Sequence, residues 1–446
     1  MRCRKKPTRL AESEPPHMAT FELEPEWREA APSAPDLQSG WRVVAAAYFG
    51  VMVGFGSLLV FSFSTFLKPL SGAFGWSRES ISASFGFAAL TIAVCSPVLG
   101  RLLDRYGPRR VILPCMAAFG LGFASLGFLT PSLFHLYAVF VFLGAVGNGT
   151  TQMGYSRAVS TWFVKRRGLA LAWVMAGSAT GQVAFPPLAQ ALIDGYGWRA
   201  AYLVLGGMVL LFGLPLTALF VRENATARST AESTHEGFTV AQGIGSRTFW
   251  ILLATLFLGS ISVNGAITHL SPLLTDRGIP AQHAALVASG LGLASFLGRL
   301  ITGVLLDRFF GPHVGLCLLG STAVGILVLS SAGSVRMAFL AAVFIGLGLG
   351  AEAALTPYLL TRYFGLRSFS TLYGFTWTAY AIAGAIGPLL MGMAFDVTGS
   401  YTLLLVVLAG GTFVSALLYL CLPRYPKCGT DHRISWSVIP HKRTAG

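Results

Sequence analysis

The chain has 446 residues, of which 54% are hydrophobic and only 11% charged, less than half the roughly 25% charge of a soluble domain. Its net charge of +14 suggests nucleic acid at first, but the basic residues cluster in turns between apolar runs, so composition points away from soluble enzymes and nucleic-acid binders alike. Six scattered cysteines, with no CxxC and no histidine at metal spacing, define neither a disulfide framework nor a metal centre, and no cofactor motif is present.

Residues 1–39 are polar, Pro-rich and charged, and read as disordered. No secretory signal peptide is visible, because the first apolar run is long enough to cross a bilayer itself. Hydropathy then predicts spans over 42–68, 79–100, 111–130, 133–156, 168–193, 200–221, 248–274, 284–306, 313–332, 337–360, 369–395 and 401–422. These runs are continuous rather than alternating every second residue, and a bilayer demands internally bonded backbone, so they are helices rather than barrel strands. The fold class is an all-α polytopic membrane protein with twelve transmembrane helices.

Residues 222–247 form the one long polar interruption, between six spans and six spans. The predicted organisation is therefore an N-tail over 1–40, a six-helix half over 41–221, a linker over 222–247, a second half over 248–422 and a C-tail over 423–446. The turns on one side hold only Lys68, Arg78, Arg199, Arg277 and Arg336. Every other Lys or Arg except Arg299 falls on the side of the termini, which the positive-inside rule makes cytoplasmic. Asn224-Ala225-Thr226 matches a glycosylation triplet, but a cytoplasmic loop does not meet the glycosylating enzyme.

Between spans 2 and 3 lies Gly100-Arg101-Leu102-Leu103-Asp104-Arg105-Tyr106-Gly107-Pro108-Arg109-Arg110. A weaker copy, Gly303-Val304-Leu305-Leu306-Asp307-Arg308, recurs roughly two hundred residues later and marks two related halves. Span 4 ends with Asn148, Gln152 and Tyr155, spaced 4 and 3 apart and so predicted to share one inward face, while Arg157 reads as part of the following loop. His269, late in span 7, either donates to a substrate and titrates near neutral pH or is a satisfied packing residue.

Charges well inside spans are the best pointers to a site, because each costs about 2.5–3.5 kcal/mol to insert. Arg299 in span 8 offers a planar fork of donors matched to a carboxylate; the alternative is that it snorkels to the surface. Glu352 in span 10 either carries a proton or forms a permanent structural pair. Tyr358 and Tyr380 are further candidates for the cavity wall. Glycines crowd the spans, as in Gly144–Gly149 and Gly346–Gly350; without the Lys-Ser/Thr of a phosphate loop they read as close helix packing. Pro97, Pro186, Pro187, Pro357 and Pro388 are expected to kink their helices.

The 100–110 segment resembles the turn between helices 2 and 3 of the major facilitator superfamily, and the resemblance covers roughly residues 41–422. It implies a conformational latch made of Gly100, Asp104, Arg105, Gly107 and Arg109, with Asp307 and Arg308 as the second-half counterpart. Trp162-Phe163-Val164-Lys165-Arg166-Arg167-Gly168-Leu169-Ala170 and Gly197-Trp198-Arg199-Ala200-Ala201-Tyr202 are similar to the entries to helices 5 and 6 in monocarboxylate transporters and oxalate–formate exchangers. Eukaryotic monocarboxylate transporters carry an Asp-Gly pair before helix 1; the reading here is Asp36-Leu37-Gln38-Ser39-Gly40-Trp41, which places the resemblance with prokaryotic relatives.

The resemblance implies that Arg299 binds a substrate carboxylate and that Tyr155 lines the pocket. The aspartate that related proton-coupled carriers place four residues before the arginine is Ser295 here, and the second-carboxylate lysine of the exchangers is Tyr380. One cation suits a monoanion. The expected function is secondary transport of a small organic monocarboxylate, coupled to protons, by a functional monomer embedded in membrane lipid, with no nucleic-acid partner and no enzymatic activity. Alternatives are an organic anion exchanger, a drug exporter of the same fold, or a carboxylate sensor.

Overall fold

The computed structural model describes residues 37–163, 165–224 and 237–425. The tails before residue 37 and after residue 425, and the middle of the predicted linker at 225–236, lie outside the described residues. Among the described residues, eleven helices are long and apolar enough to cross a membrane. They are span 1 (Gln38–Phe74), span 2 (Glu79–Tyr106), span 3 (Pro108–Phe128), span 4 (Leu133–Ser160), a 54-residue helix (Arg167–Phe220), span 7 (Arg247–Thr268), span 8 (Gln282–Arg308), span 9 (Gly311–Ser330), span 10 (Val335–Phe364), span 11 (Phe369–Thr398) and span 12 (Thr402–Cys421). The 54-residue helix would be about 80 Å long if straight, against a hydrocarbon core of about 30 Å. Its backbone leaves helical geometry at Gly197, with φ 82° and ψ 163°, a conformation open to glycine, and so it supplies spans 5 and 6. The total is twelve spans in two six-helix halves.

Helix breaks fall elsewhere than at the prolines. The helix of span 2 runs on through Pro97, span 5 through Pro186 and Pro187, span 10 through Pro357 and span 11 through Pro388. Span 4 instead breaks at Asn148–Thr150, a short 3₁₀ turn, before Thr151 turns extended. Thr150 and Thr151 return their hydroxyls to the carbonyls of Gly147 and Asn148, at 2.7 Å each, so side chains compete with the helical ladder. The break corrects the expected spacing: Asn148 and Gln152 do not continue one helical face. Span 1 is interrupted at the same level, where the Phe55 N–H donates to Thr150 Oγ1 at 2.9 Å. The interruption in span 4 therefore supplies a side-chain acceptor for a backbone donor freed in span 1.

The core of the first half packs aromatic rings, with Phe66 stacked on Tyr202 at 3.9 Å and Tyr202 edge-on to Phe123 at 5.4 Å. In the second half, spans 8 and 10 meet through glycines. A Cβ on Gly350 would run into the Ser295 carbonyl oxygen, one on Gly346 into that of Leu291, and one on Gly298 into the backbone of Leu347. That close approach sets Glu352, two residues past Gly350, against the span carrying Arg299.

The halves join at one end of the molecule. Asp104, at the end of span 2, accepts from the backbone N–H groups of Ser370 and Thr371 at 2.9 and 2.8 Å, at the start of span 11. Asp307, at the end of span 8, accepts from Gly168 and Leu169 N–H at 2.7 and 2.9 Å, at the start of span 5. Gly100 and Gly303 let the helices touch, the first against the backbone of Ser370 and the second against the backbone of Gly168 and the methyl of Ala172. Higher up, Thr378 Oγ1 donates to the Ala93 carbonyl at 2.5 Å. Among the described residues, every hydrogen bond between the halves lies from that level to this joined end. At the opposite ends of spans 1 and 5 a cavity of about 570 Å³ is lined by Thr65, Lys68, Gln190 and Asp194.

Candidate functional site

The two charges buried furthest from the joined end both belong to the second half. Arg299 and Glu352 are each only 7% exposed. Arg299 Nε and Nη1 are buried without any hydrogen-bond partner. Leaving buried donors unpaired costs about 1–3 kcal/mol each, more when charged, so this guanidinium is poised for an acceptor. No salt bridge joins it to Glu352. Glu352 Oε1 instead accepts from the Ser260 hydroxyl of span 7. Tyr380 of span 11 interacts electrostatically with both Arg299 and Glu352, and its hydroxyl contacts the Asn264 side chain.

Around Arg299 the polar atoms stay unspent. Ser295 and Thr302 lie on the same face of span 8, four residues before and three after, and both hydroxyls are buried without partners. The Trp377 indole N–H also has no partner of good geometry, and its ring meets Tyr380 edge-on at 5.5 Å. One buried cation, with unpartnered hydroxyls on its own helix face and Tyr380 of span 11 nearby, suits a small group with a single negative charge. Among the described residues, no group of three or more His, Cys, Asp and Glu could hold a metal ion.

Of the residues expected to line a site, the structure brings Arg299, Glu352 and Tyr380 together. The others are spent elsewhere. The Tyr155 ring is fully buried within the first half, with its hydroxyl 3.1 Å from Thr217 Oγ1 and close against Gly50. Asn148 Nδ2 donates to Ser96 Oγ at 2.5 Å, joining span 4 to span 2. Gln152 reaches across to the Tyr373 hydroxyl of span 11, near the joined end. The Tyr358 hydroxyl donates to the Leu306 carbonyl at 2.8 Å, capping span 8. His269 sits at the far end of span 7, its Nε2 at 3.2 Å from the Pro388 carbonyl and its ring 5.4 Å from Tyr401.

The joined end also differs in detail from expectation. Arg157 belongs to the helical end of span 4, not to a loop, and pairs with both Asp104 and Glu223. Arg105 lies over the neighbouring Tyr106 ring at 5.3 Å, while Arg109 and Arg308 are exposed. Gly107, at φ 83°, makes the tight turn into span 3 and returns its N–H to the Leu103 carbonyl at 3.0 Å. Sequence reading did not single out Ser260, Asn264 or Trp377. The signal for the first two was a polar pair at i, i+4 on an apolar helix, and for Trp377 an aromatic one turn before Tyr380.

Comparison with known proteins agrees with this architecture. The family model described as Major Facilitator Superfamily matches residues 44–388 and 270–434. The chain is 29% identical over 412 residues to monocarboxylate transporter 13 of Rattus norvegicus, covering 88% of this chain and 91% of that one. It is 25% identical over 337 residues to the uncharacterized MFS-type transporter YhjX of Escherichia coli, covering 72% of this chain and 81% of the other. The relatives therefore include animal as well as bacterial proteins. Among solved structures, the proton:xylose symporter XylE superposes with a TM-score of 0.69 at 14% identity, covering 87% of this chain and 96% of that one.

Proposed function

The chain belongs to the major facilitator superfamily of membrane transporters, and from that premise we propose that it carries a small organic monocarboxylate together with a proton. The observation that carries this reading is the buried, unpaired guanidinium of Arg299, flanked by neutral donors and linked through Tyr380 to the separate buried carboxyl of Glu352. The names of relatives such as monocarboxylate transporter 13 support the substrate class.

On this reading the carboxylate docks on Arg299, with the Tyr380 hydroxyl beside it. Glu352 carries the proton. Neutralising the arginine makes the loaded site less costly to enclose, which favours the change of access. The arginine-rich joined end is cytoplasmic by the positive-inside rule, so the end away from it, where the halves are not bonded together, faces outside and both termini lie inside. The boundaries at residues 41, 222, 248 and 423 separate tails, halves and linker, and the working unit is a monomer.

The test is uptake of labelled lactate, pyruvate, formate and acetate by purified protein in liposomes, with an inward proton gradient imposed or withheld and Arg299→Ala alongside. Gradient-dependent uptake that is lost in the mutant is the expected result. Uptake only against preloaded anion would make the protein an exchanger. No uptake of any of these acids overturns the monocarboxylate assignment.

A further inference from the structure

Span 7 carries a polar stripe that begins at the candidate site and runs on past it. Ser260, Asn264 and Thr268 recur every four residues, so they rise along one side of the helix over about 12 Å. Their exposure climbs in step: Ser260 is 1% exposed, Asn264 is half-buried and Thr268 is exposed. Asn264 Nδ2 and Thr268 Oγ1 each donate to the backbone carbonyl one turn back, of Ser260 and of Asn264, at 2.8 Å each, which holds both side chains along this side of the helix.

The packing of span 7 fixes where this stripe points. Gly265 and Ile261 press against Gly387 of span 11. Ser262 donates to the Leu408 carbonyl of span 12 at 3.0 Å, and Ser415 of that span donates to the Thr255 carbonyl at 2.7 Å. Ser260 faces Glu352 of span 10. Asn264 and Thr268 therefore fall in the gap between spans 10 and 11, away from the joined end. Polar side chains in a span are costly unless they meet partners or water.

We propose that the Ser260–Asn264–Thr268 face is the route by which Glu352 exchanges its proton with solution on the open side. Glu352 takes a proton from the Ser260 hydroxyl, which recovers one from water entering along Asn264 and Thr268; the reverse sequence releases it. The groups facing Glu352 are Ser260 from span 7, Tyr380 from span 11 and Tyr419 at the end of span 12, with Arg299 of span 8 beyond Tyr380. Span 9 places the uncharged Thr322 against Gly348. Ser260 alone touches the carboxyl and continues toward the opening. This inference rests on the reading of Glu352 as the proton carrier.

The experiment is infrared difference spectroscopy of the full chain in lipid, following the protonated-carboxyl band after a rapid pH drop, with no substrate added. Glu352→Gln assigns the band. Thr268→Val, nearly isosteric at an exposed position, and Asn264→Leu are expected to slow its appearance by roughly fivefold or more, the rate consequence of removing one hydrogen-bonding step. Thr268→Ser is expected to restore the rate. A band that disappears in Glu352→Gln but forms at the unaltered rate in both span 7 variants would overturn the route and leave the carrier role standing. A band that persists in Glu352→Gln, or never forms, would overturn the carrier role and the route with it.

Discussion

Asp104 and Asp307 hold the same relationship to opposite halves of the protein: each, at the end of its own helix, accepts two backbone N–H bonds from the first turn of a helix across the interface. A carboxylate at a helix N-terminus meets both unsatisfied donors and the positive end of the helix dipole. Asp104 is additionally held by Arg157 and by the Thr371 hydroxyl at 2.7 Å, so the first-half version is the more heavily bonded. Both lie at the end the halves share, and both must release before that end separates.

Asp307→Ala removes one capping carboxylate while leaving the Asp104 set intact. A lost cap costs about 0.5–2 kcal/mol. The joined end is expected to open in a larger fraction of molecules, a shift of several-fold. Spin labels at the exposed positions Tyr106 and Phe309 report it as a new long-distance component. A distribution identical to that of the parent protein would show that the bond does not hold the halves together.

Tyr155→Phe and Tyr380→Phe separate the two tyrosines, one expected to line the pocket and one a weaker candidate for its wall. The first removes a hydroxyl enclosed by Thr217 and Met116, at a cost of about 1 kcal/mol in thermal stability and with substrate affinity unchanged. The second removes the hydroxyl beside Arg299 and Glu352 and is expected to weaken binding of the transported acid by about tenfold, with stability little altered. Equal loss of affinity in both variants would return Tyr155 to the substrate site.

Gly350→Ala tests the contact that sets span 10 against span 8. The added methyl meets the Ser295 carbonyl, a backbone atom that cannot rotate away, and overpacking of this kind costs about 1–3 kcal/mol. Both melting temperature and transport are expected to fall, because Glu352 is displaced from its neighbours. Gly392→Ala, which meets nothing within 4 Å, is the matched control and should leave both unaltered. Equal tolerance of the two substitutions would show that the spans can part without consequence.

Arg299 and Glu352 were visible because a charge in an apolar run violates a local rule, and Asp104 and Asp307 because their surroundings repeat. Tyr155 and Asn148 were misplaced because a 3₁₀ turn at Asn148–Thr150 shifts the rotational phase of span 4, and that turn is stabilised partly by Phe55, ninety-five residues away. Sequence alone puts Arg157 in a loop, because its two partners, Asp104 and Glu223, come from other parts of the chain.

By itself the sequence determined twelve membrane-crossing helices and two related halves, because transfer of a twenty-residue apolar window into lipid is a property of that window alone. Only the tertiary structure decided which buried polar groups are already satisfied and which are free. Tyr358 and His269 find backbone carbonyls on neighbouring helices, while the Nε and Nη1 of Arg299 find no partner. That difference depends on how each helix is turned against its neighbours, and the turn is set by close contacts such as Gly350 on Ser295 and Gly387 on Ile261, between residues far apart in the chain.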